Sequence, residues 1–344
     1  MSVSKKVEEA QEHIRQAEKS LKTGLLKWKP EYDIAADEYQ KAATCYRVCK
    51  KFDECRQYLM KAADCYKENR SLFHAARCYE QIILVLRDQN KFEEIEDFAH
   101  RACRLYQQQG SPEAGAGALD KAAKMIESQF PLQALNCYQH AIEVVMIEDS
   151  SRQGADYLSK MARILVRLER YDESADVIRR EITIHQENEN IQAIGRLTVA
   201  LVLVQLARGD SVAAEKAFKE WGNCCDVQEV HTLEMLLQAY DDEDKETAQR
   251  ALGSSFIKHM DVEYARLARI IPLPEGIQVT VPKATVVTNA QQAYTSPPPE
   301  EIEKVKAATI AAGNWPAEPL EKAGTSETIP LPTFDTEGEK GSLC

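Results

Sequence analysis

Lys41-Ala42-Ala43-Thr44-Cys45-Tyr46 returns twenty positions later as Lys61-Ala62-Ala63-Asp64-Cys65-Tyr66, and the motif echoes at Ala75-Ala76-Arg77-Cys78-Tyr79 and Ala134-Leu135-Asn136-Cys137-Tyr138. Paired alanines beside a tyrosine at this interval read as one helix plus its turn, so two copies make a helical hairpin of about forty residues. A single hairpin cannot bury its apolar stripe alone, and a tandem run has to stack neighbour on neighbour into a solenoid. The expected fold class is all-α, and scaffolds of this kind bind other macromolecules far more often than they catalyse.

The punctuation keeps the same beat. Start and stop signals stand at Lys51-Phe52-Asp53-Glu54, Asn69-Arg70-Ser71, Asn90-Lys91-Phe92, Gly110-Ser111-Pro112-Glu113, Phe130-Pro131, Asp149-Ser150, Arg170-Tyr171-Asp172 and Asn188-Glu189-Asn190. Ser111 is expected as a cap with Pro112 in the first helical position, and Gly110 suits a left-handed stop. Alanines at 35, 36, 42, 43, 62 and 63 let helices approach while Tyr39, Tyr46, Tyr58 and Tyr66 fill the gaps. The pattern resembles tetratricopeptide repeats in a longer, looser form, which implies a right-handed solenoid of antiparallel hairpins.

Ten of the 13 prolines fall at or after Pro272, which marks a boundary. The expected organisation is a hairpin solenoid over 1–208, a C-terminal helical bundle over 209–271 that caps it, and a proline-rich, largely disordered tail over 272–344. The net charge of −12 is spread over both parts, so neither reads as a nucleic-acid binder. The first residues, Met1 to Ala10, have no apolar core of signal-peptide length, and the greasiest stretch, Ile194 to Ala207, is interrupted by Arg196, Thr198 and Gln205. A cytoplasmic protein, at most peripheral to membranes, is expected.

The 10 cysteines show no CxxC pair and no closely spaced Cys/His set. Those at 45, 49, 65, 78, 103 and 137 lie in alanine- and tyrosine-rich helices and read as small buried hydrophobes in a reducing interior. No phosphate loop, dinucleotide fingerprint, nucleophile elbow or zinc-protease helix occurs, and no metal or cofactor is expected.

Three features stand out of this background. In Thr23-Gly24-Leu25-Leu26-Lys27-Trp28-Lys29-Pro30, apolar residues flanked by lysines sit where a polar turn belongs. That suits the headgroup boundary of an acidic membrane, or a loop that folds back onto the first hairpin. Lys121, Lys124, Lys160, Arg163, Arg167, Arg179 and Arg180 align as a strip facing an elongated acidic partner, or scatter as solvated charge. The run Asp241-Asp242-Glu243-Asp244 docks a basic partner or keeps a loop soluble.

Leu21 to Asp33 with its LLKWKP core, Leu236-Leu237-Gln238-Ala239-Tyr240-Asp241-Asp242 and the closing Gly341-Ser342-Leu343-Cys344 resemble the soluble NSF attachment proteins, their gamma form in particular. The resemblance implies an adaptor with no catalysis of its own. It would coat assembled SNARE complexes with its solenoid, then recruit and stimulate the hexameric AAA ATPase NSF, which takes the bundle apart in vesicle transport and membrane fusion. It further implies that Leu25, Leu26 and Trp28 form a membrane-attachment loop, and that Asp241, Asp242 and Leu343 face NSF. Gly117 and Asp156 stand where the alpha form carries key lysines; Lys121 and Lys160 lie one turn away and, with Arg163, are the SNARE-facing candidates. Two rival readings keep the fold: a scaffold for tethering or cytoskeletal partners, and an enzyme with a site around Trp221 and Cys224-Cys225.

Overall fold

The computed structural model describes residues 3–23, 28–147 and 151–274, and these contain α-helices and two short 3-10 turns with no strand. The helices are α1 (Val3–Leu21), α2 (Tyr32–Val48), α3 (Phe52–Glu68), α4 (Leu72–Asp88), α5 (Ile95–Gln108), α6 (Pro112–Ile126), α7 (Pro131–Ile147), α8 (Ser151–Arg167), α9 (Tyr171–Glu187) and α10 (Ile191–Arg208). They continue as α11 (Ser211–Trp221), α12 (Val227–Asp241), α13 (Lys245–Leu252), α14 (Ser255–Lys258) and α15 (Val262–Ile270). From α1 to α11 each helix packs chiefly on its chain neighbours, the signature of an all-α solenoid. The tail expected over 272–344 lies outside the described residues from 275 onward.

One turn, used repeatedly, sets the geometry. Lys50, Arg70, Asn90 and Gly110 have φ of 56°, 57°, 59° and 77°, and Glu169, Glu189 and Gly209 have 58°, 52° and 86°. In each, the next residue's N–H reaches back five places, as in Ser71 to the Tyr66 carbonyl (2.8 Å) and Asp210 to that of Gln205 (3.0 Å). This is the Schellman stop, and it occurs every twenty residues in each series. Between the series the period slips by one residue, at 127–130, where Phe130 N–H bonds the Ile126 carbonyl at 2.7 Å instead. Gly110 and Pro112 act as expected, but the Ser111 side chain makes no capping bond.

The core follows from the alanine pairs. Ala35, Ala36, Ala42, Ala62, Ala63, Ala75 and Ala76 have no exposed surface, so helices approach closely. Tyr39, Tyr58 and Tyr46 stack across the α2–α3 contact with ring centroids 5.9 and 5.5 Å apart. Buried tyrosines need a partner for the hydroxyl: Tyr66 donates to Asp37 at 2.5 Å and Tyr106 to Glu80 at 2.9 Å. Cys45, Cys65, Cys78, Cys103 and Cys137 are buried as expected, whereas Cys49, just past the end of α2, is only partly so.

α10 is long and apolar enough to cross a membrane by length and composition, the interruptions notwithstanding. Here it is a core helix: 11 of its residues are buried, including Thr198 and Gln205, and it packs on α9, α11, α12 and α15. Gly195 is required there, since a Cβ would lie 2.5 Å from the Cys224 carbonyl oxygen. α15 returns to pack on α8 as well as α10, and beneath it Glu181 of α9 is buried beside Tyr264. Burial pushes the Glu181 carboxyl up to about 8, against a smaller opposing pull from Arg163.

Two predictions follow from these elements. Glu169→Gly removes the left-handed penalty and should raise the unfolding free energy by about 0.5–1 kcal/mol, while Gly110→Ala should lower it by about 1, both read by urea denaturation. Glu181 holds a proton in the native state that the unfolded chain releases above its ordinary pKa of 4.5. Its contribution is therefore full below pH 4.5 and lost as pH rises to about 8. Glu181→Gln should be near-neutral at pH 5 and stabilising by roughly 2–4 kcal/mol at pH 8, a difference that leaves the rest of the protein's pH profile unchanged.

Candidate partner-binding face

Because hairpins repeat every forty residues, side chains that far apart meet on neighbouring helices. On the α4, α6 and α8 face, Lys121 Nζ donates to Glu80 Oε1 at 3.3 Å, Lys124 to Asp120 Oδ2 at 2.8 Å, and Lys160 to Asp120 Oδ1 at 3.0 Å and to Asp156. α15 then adds Asp261, 3.3 Å from Arg163, and Glu263, 3.6 Å from Arg167. Five of the seven cations of the expected strip are thus brought together. Arg179 instead pairs within its own helix with Asp176 at 3.0 Å, and Arg180 is exposed elsewhere on α9.

The strip is a ladder of ion pairs, and its rungs are unequal. The Lys121 side chain is 68% exposed and holds one long pair. That of Lys160 is 14% exposed, pairs twice and lies 5.1 Å over the Tyr157 ring. Burial lowers its affinity for the proton, but the bonds to Asp156 and Asp120 outweigh this and hold the ammonium above its usual range. Exposed pairs such as that of Lys121 contribute about 0–1 kcal/mol, so an acidic partner can exchange for Glu80 at little cost. Lys160 is part of the fold, and Arg163 is tied to α15.

Two recesses open on this face. One, between α4 and α6, is lined by Arg77, Gln81, Leu84, Ala118, Lys121 and Met125. The other, between α6, α8 and α15, is lined by Lys124, Tyr138, Lys160, Arg163, Arg167 and Glu263. The Tyr138 hydroxyl is buried in it without a partner among the described residues. Sequence reasoning missed Asp261 and Glu263, because nothing local signals a helix that folds back across 98 residues to meet Arg163.

At the end of α12, Asp241 and Asp242 are exposed. Asp242 accepts from Gln238 Nε2 at 2.8 Å, and Asp241 has no ion pair among the described residues. Two carboxylates at a helix C-terminus oppose the helix dipole, so the fold gains nothing from their charge. Asp244 differs: it caps α13 by accepting from Glu246 N–H at 3.0 Å and Thr247 N–H at 3.1 Å, and a hydrogen bond from the Thr247 side chain, then these backbone bonds, lower its pKa. A groove between α11 and α12, lined by Phe218, Lys219, His231, Met235 and Asp241, lies alongside.

Trp28 is 88% exposed; Leu25, Leu26 and Leu343 lie outside the described residues. Around Trp221, the groups an enzyme would use serve the fold: Asp226 and Glu229 close a capping box on α12. Burial pushes the Cys225 thiol up to about 12, the opposite of a nucleophile's need.

The family description "Soluble NSF attachment protein, SNAP" matches residues 8–254, almost the whole described helical array. A gamma-soluble NSF attachment protein of Dictyostelium discoideum is 22% identical over 269 residues, covering 77% of this chain and 83% of that protein. One of Arabidopsis thaliana is 23% identical over 265 residues, covering 75% and 90%. An alpha-soluble NSF attachment protein of Saccharomyces cerevisiae is 24% identical over 254 residues, covering 72% and 87%. With a family match running from α1 into the α13–α14 turn, this chain belongs to the soluble NSF attachment protein family.

Proposed function

We propose that the protein is an adaptor, without catalysis of its own, that binds assembled SNARE complexes along the α4–α6–α8 face and recruits and stimulates NSF. The observation that carries this is the family match over the helical array. The face suits the role physically. Its cations sit at repeating intervals on successive hairpins, as an elongated acidic helical bundle requires. Their acidic partners are on the protein's own surface, so association is an exchange of ion pairs and is reversible, as an adaptor released after each round must be.

In this reading Asp241 and Asp242 face NSF and Leu343 stimulates its ATPase, while Leu25, Leu26 and Trp28 touch the bilayer from the opposite end of the chain. An indole left open to solvent has no packing role to perform, which favours insertion at a membrane boundary over a fold-back contact. The protein would act in the cytoplasm, peripherally bound to the membranes that carry its SNAREs.

Gly117 supplies a gain-of-function test, since a Cβ there would meet nothing within 4 Å. Gly117→Lys should tighten co-sedimentation with preassembled SNARE complex by about tenfold at low salt, and Lys121→Glu should weaken it similarly, both effects shrinking at high salt. No change in either variant would remove SNARE binding from this face. Asp241→Lys with Asp242→Lys should leave helicity and SNARE binding unchanged while NSF ATPase stimulation falls by about fivefold or more; equal stimulation would place NSF contact elsewhere.

A further inference from the structure

α1 is the terminal helix of the stack and its apolar grip is slight. Ala10 and Ala17 are its only buried residues, with Val7, Ile14 and Leu21 partly covered against the core. A more specific arrangement sits on the same contact with α2. Glu9 and His13, one turn apart on α1 and therefore on one face, meet the buried Cys45 of α2, and one ligand atom from each lies within 4.8 Å of the others. Behind the imidazole, Glu38 Oε2 lies 2.7 Å from His13 Nδ1. Glu38 is 9% exposed and is itself held by Lys41 Nζ at 2.6 Å.

A carboxylate behind a histidine is the arrangement that fixes the ring's tautomer in metal sites: Nδ1–H donates to the carboxylate, and Nε2 presents its lone pair. We propose that Glu9, His13 and Cys45 form a Zn2+ site that staples α1 to α2, with water as the fourth ligand. Thiolate, imidazole and carboxylate together suit Zn2+ rather than Mg2+ or Ca2+, which take oxygen ligands. Tetrahedral bonds of about 2.0–2.3 Å put ligand atoms about 3.3–3.8 Å apart, so closure needs movements of about 1 Å. Glu9 is exposed and can supply most of that movement by a rotamer change.

Charge balances on binding. Cys45 loses its thiol proton to solvent as the Zn–S bond forms, and Zn2+ is neutralised by the thiolate and the Glu9 carboxylate. Lys6, now 2.6 Å from Glu9 Oε2, gives up that contact and moves into water on its flexible stem. The thiol lies within reach of Glu9, whose charge, after burial, opposes thiol ionisation in the metal-free protein; the cation reverses that bias. The staple would stiffen the hairpin whose connecting loop carries Trp28.

The test uses the full-length, reduced chain stripped of metal and titrated with Co2+, then with Zn2+. The expected result is a thiolate-to-cobalt absorption band with tetrahedral ligand-field bands, displaced by a single equivalent of Zn2+. Cys45→Ser should abolish the thiolate band, and Glu9→Gln should weaken Zn2+ binding by at least about tenfold. The double variant Cys224→Ser, Cys225→Ser should leave both unchanged. Zn2+ should also raise amide protection across residues 3–21 in the unmodified protein and not in Cys45→Ser. Absence of a thiolate band, its persistence in Cys45→Ser, or unaltered affinity in Glu9→Gln would overturn the proposal. Because Glu9 is exposed, the last variant reports on the site even if Cys45→Ser proves unstable.

Discussion

The left-handed residue that follows α2, α3, α4, α5, α8, α9 and α10 is the constraint on which the rest of this molecule depends. A Schellman stop fixes both where a helix ends and the angle at which the chain leaves it, so repeating it every twenty residues gives helices of equal length and like orientation. Equal helices are what allow residues forty apart to become neighbours: Glu96 with Asn136, His100 with His140, Asp120 with Lys160. One irregular turn at 127–130 shortens the beat by a single residue, and the pairing on the far side resumes in the new register. Most of these stops use Lys, Arg, Asn or Glu rather than Gly, which costs about 1 kcal/mol each, so the packing they permit has to return more than that.

What it returns is a continuous interior built mostly from contacts between chain neighbours. Alanine pairs bring the backbones together, tyrosines fill the intervals, and the Tyr66 and Tyr106 hydroxyls each find a carboxylate on the preceding helix. The Tyr138 hydroxyl, without a partner among the described residues, sits in the recess of the candidate face. An orphan hydroxyl there is a cost borne by the free protein that a ligand oxygen or an ordered water would relieve. At the other end α15 folds back on α8 and α10, so the face is completed by residues far along the chain.

The hairpin period, the alanine and tyrosine core, and the roles of Gly110 and Pro112 were all legible, because each is a local property that the chain repeats. Lys121, Lys160 and Arg163 were legible as types and intervals, but not as the unequal rungs they are, since solvent access and ion pairing are set by neighbours forty or more residues away. Asp261 and Glu263 left no trace in the pattern for the same reason. The acidic run divides in an instructive way: Asp241 and Asp242 are surface charges, while Asp244 is a helix cap, and no property of four consecutive acids separates them. Glu9, His13 and Cys45 were invisible because metal ligands drawn from two helices need no motif, only a turn that returns one helix along the other.

A face whose cations are already paired behaves differently from a bare positive patch. A bare patch attracts any polyanion and holds it by counterion release, with little regard to shape. On the proposed reading, an exposed cation such as Lys121 leaves its own acid only for a partner that offers a carboxylate at the same place and, for the next exposed cation, another at the matching spacing. The net gain per rung is small, so affinity accumulates only along a partner that matches several in register, and a shorter or misaligned acid run gains almost nothing. In the proposed function, selectivity for an elongated helical rod would therefore come from the repeat period, the same property that fixes the fold, and the negative net charge of the chain would be no obstacle to it.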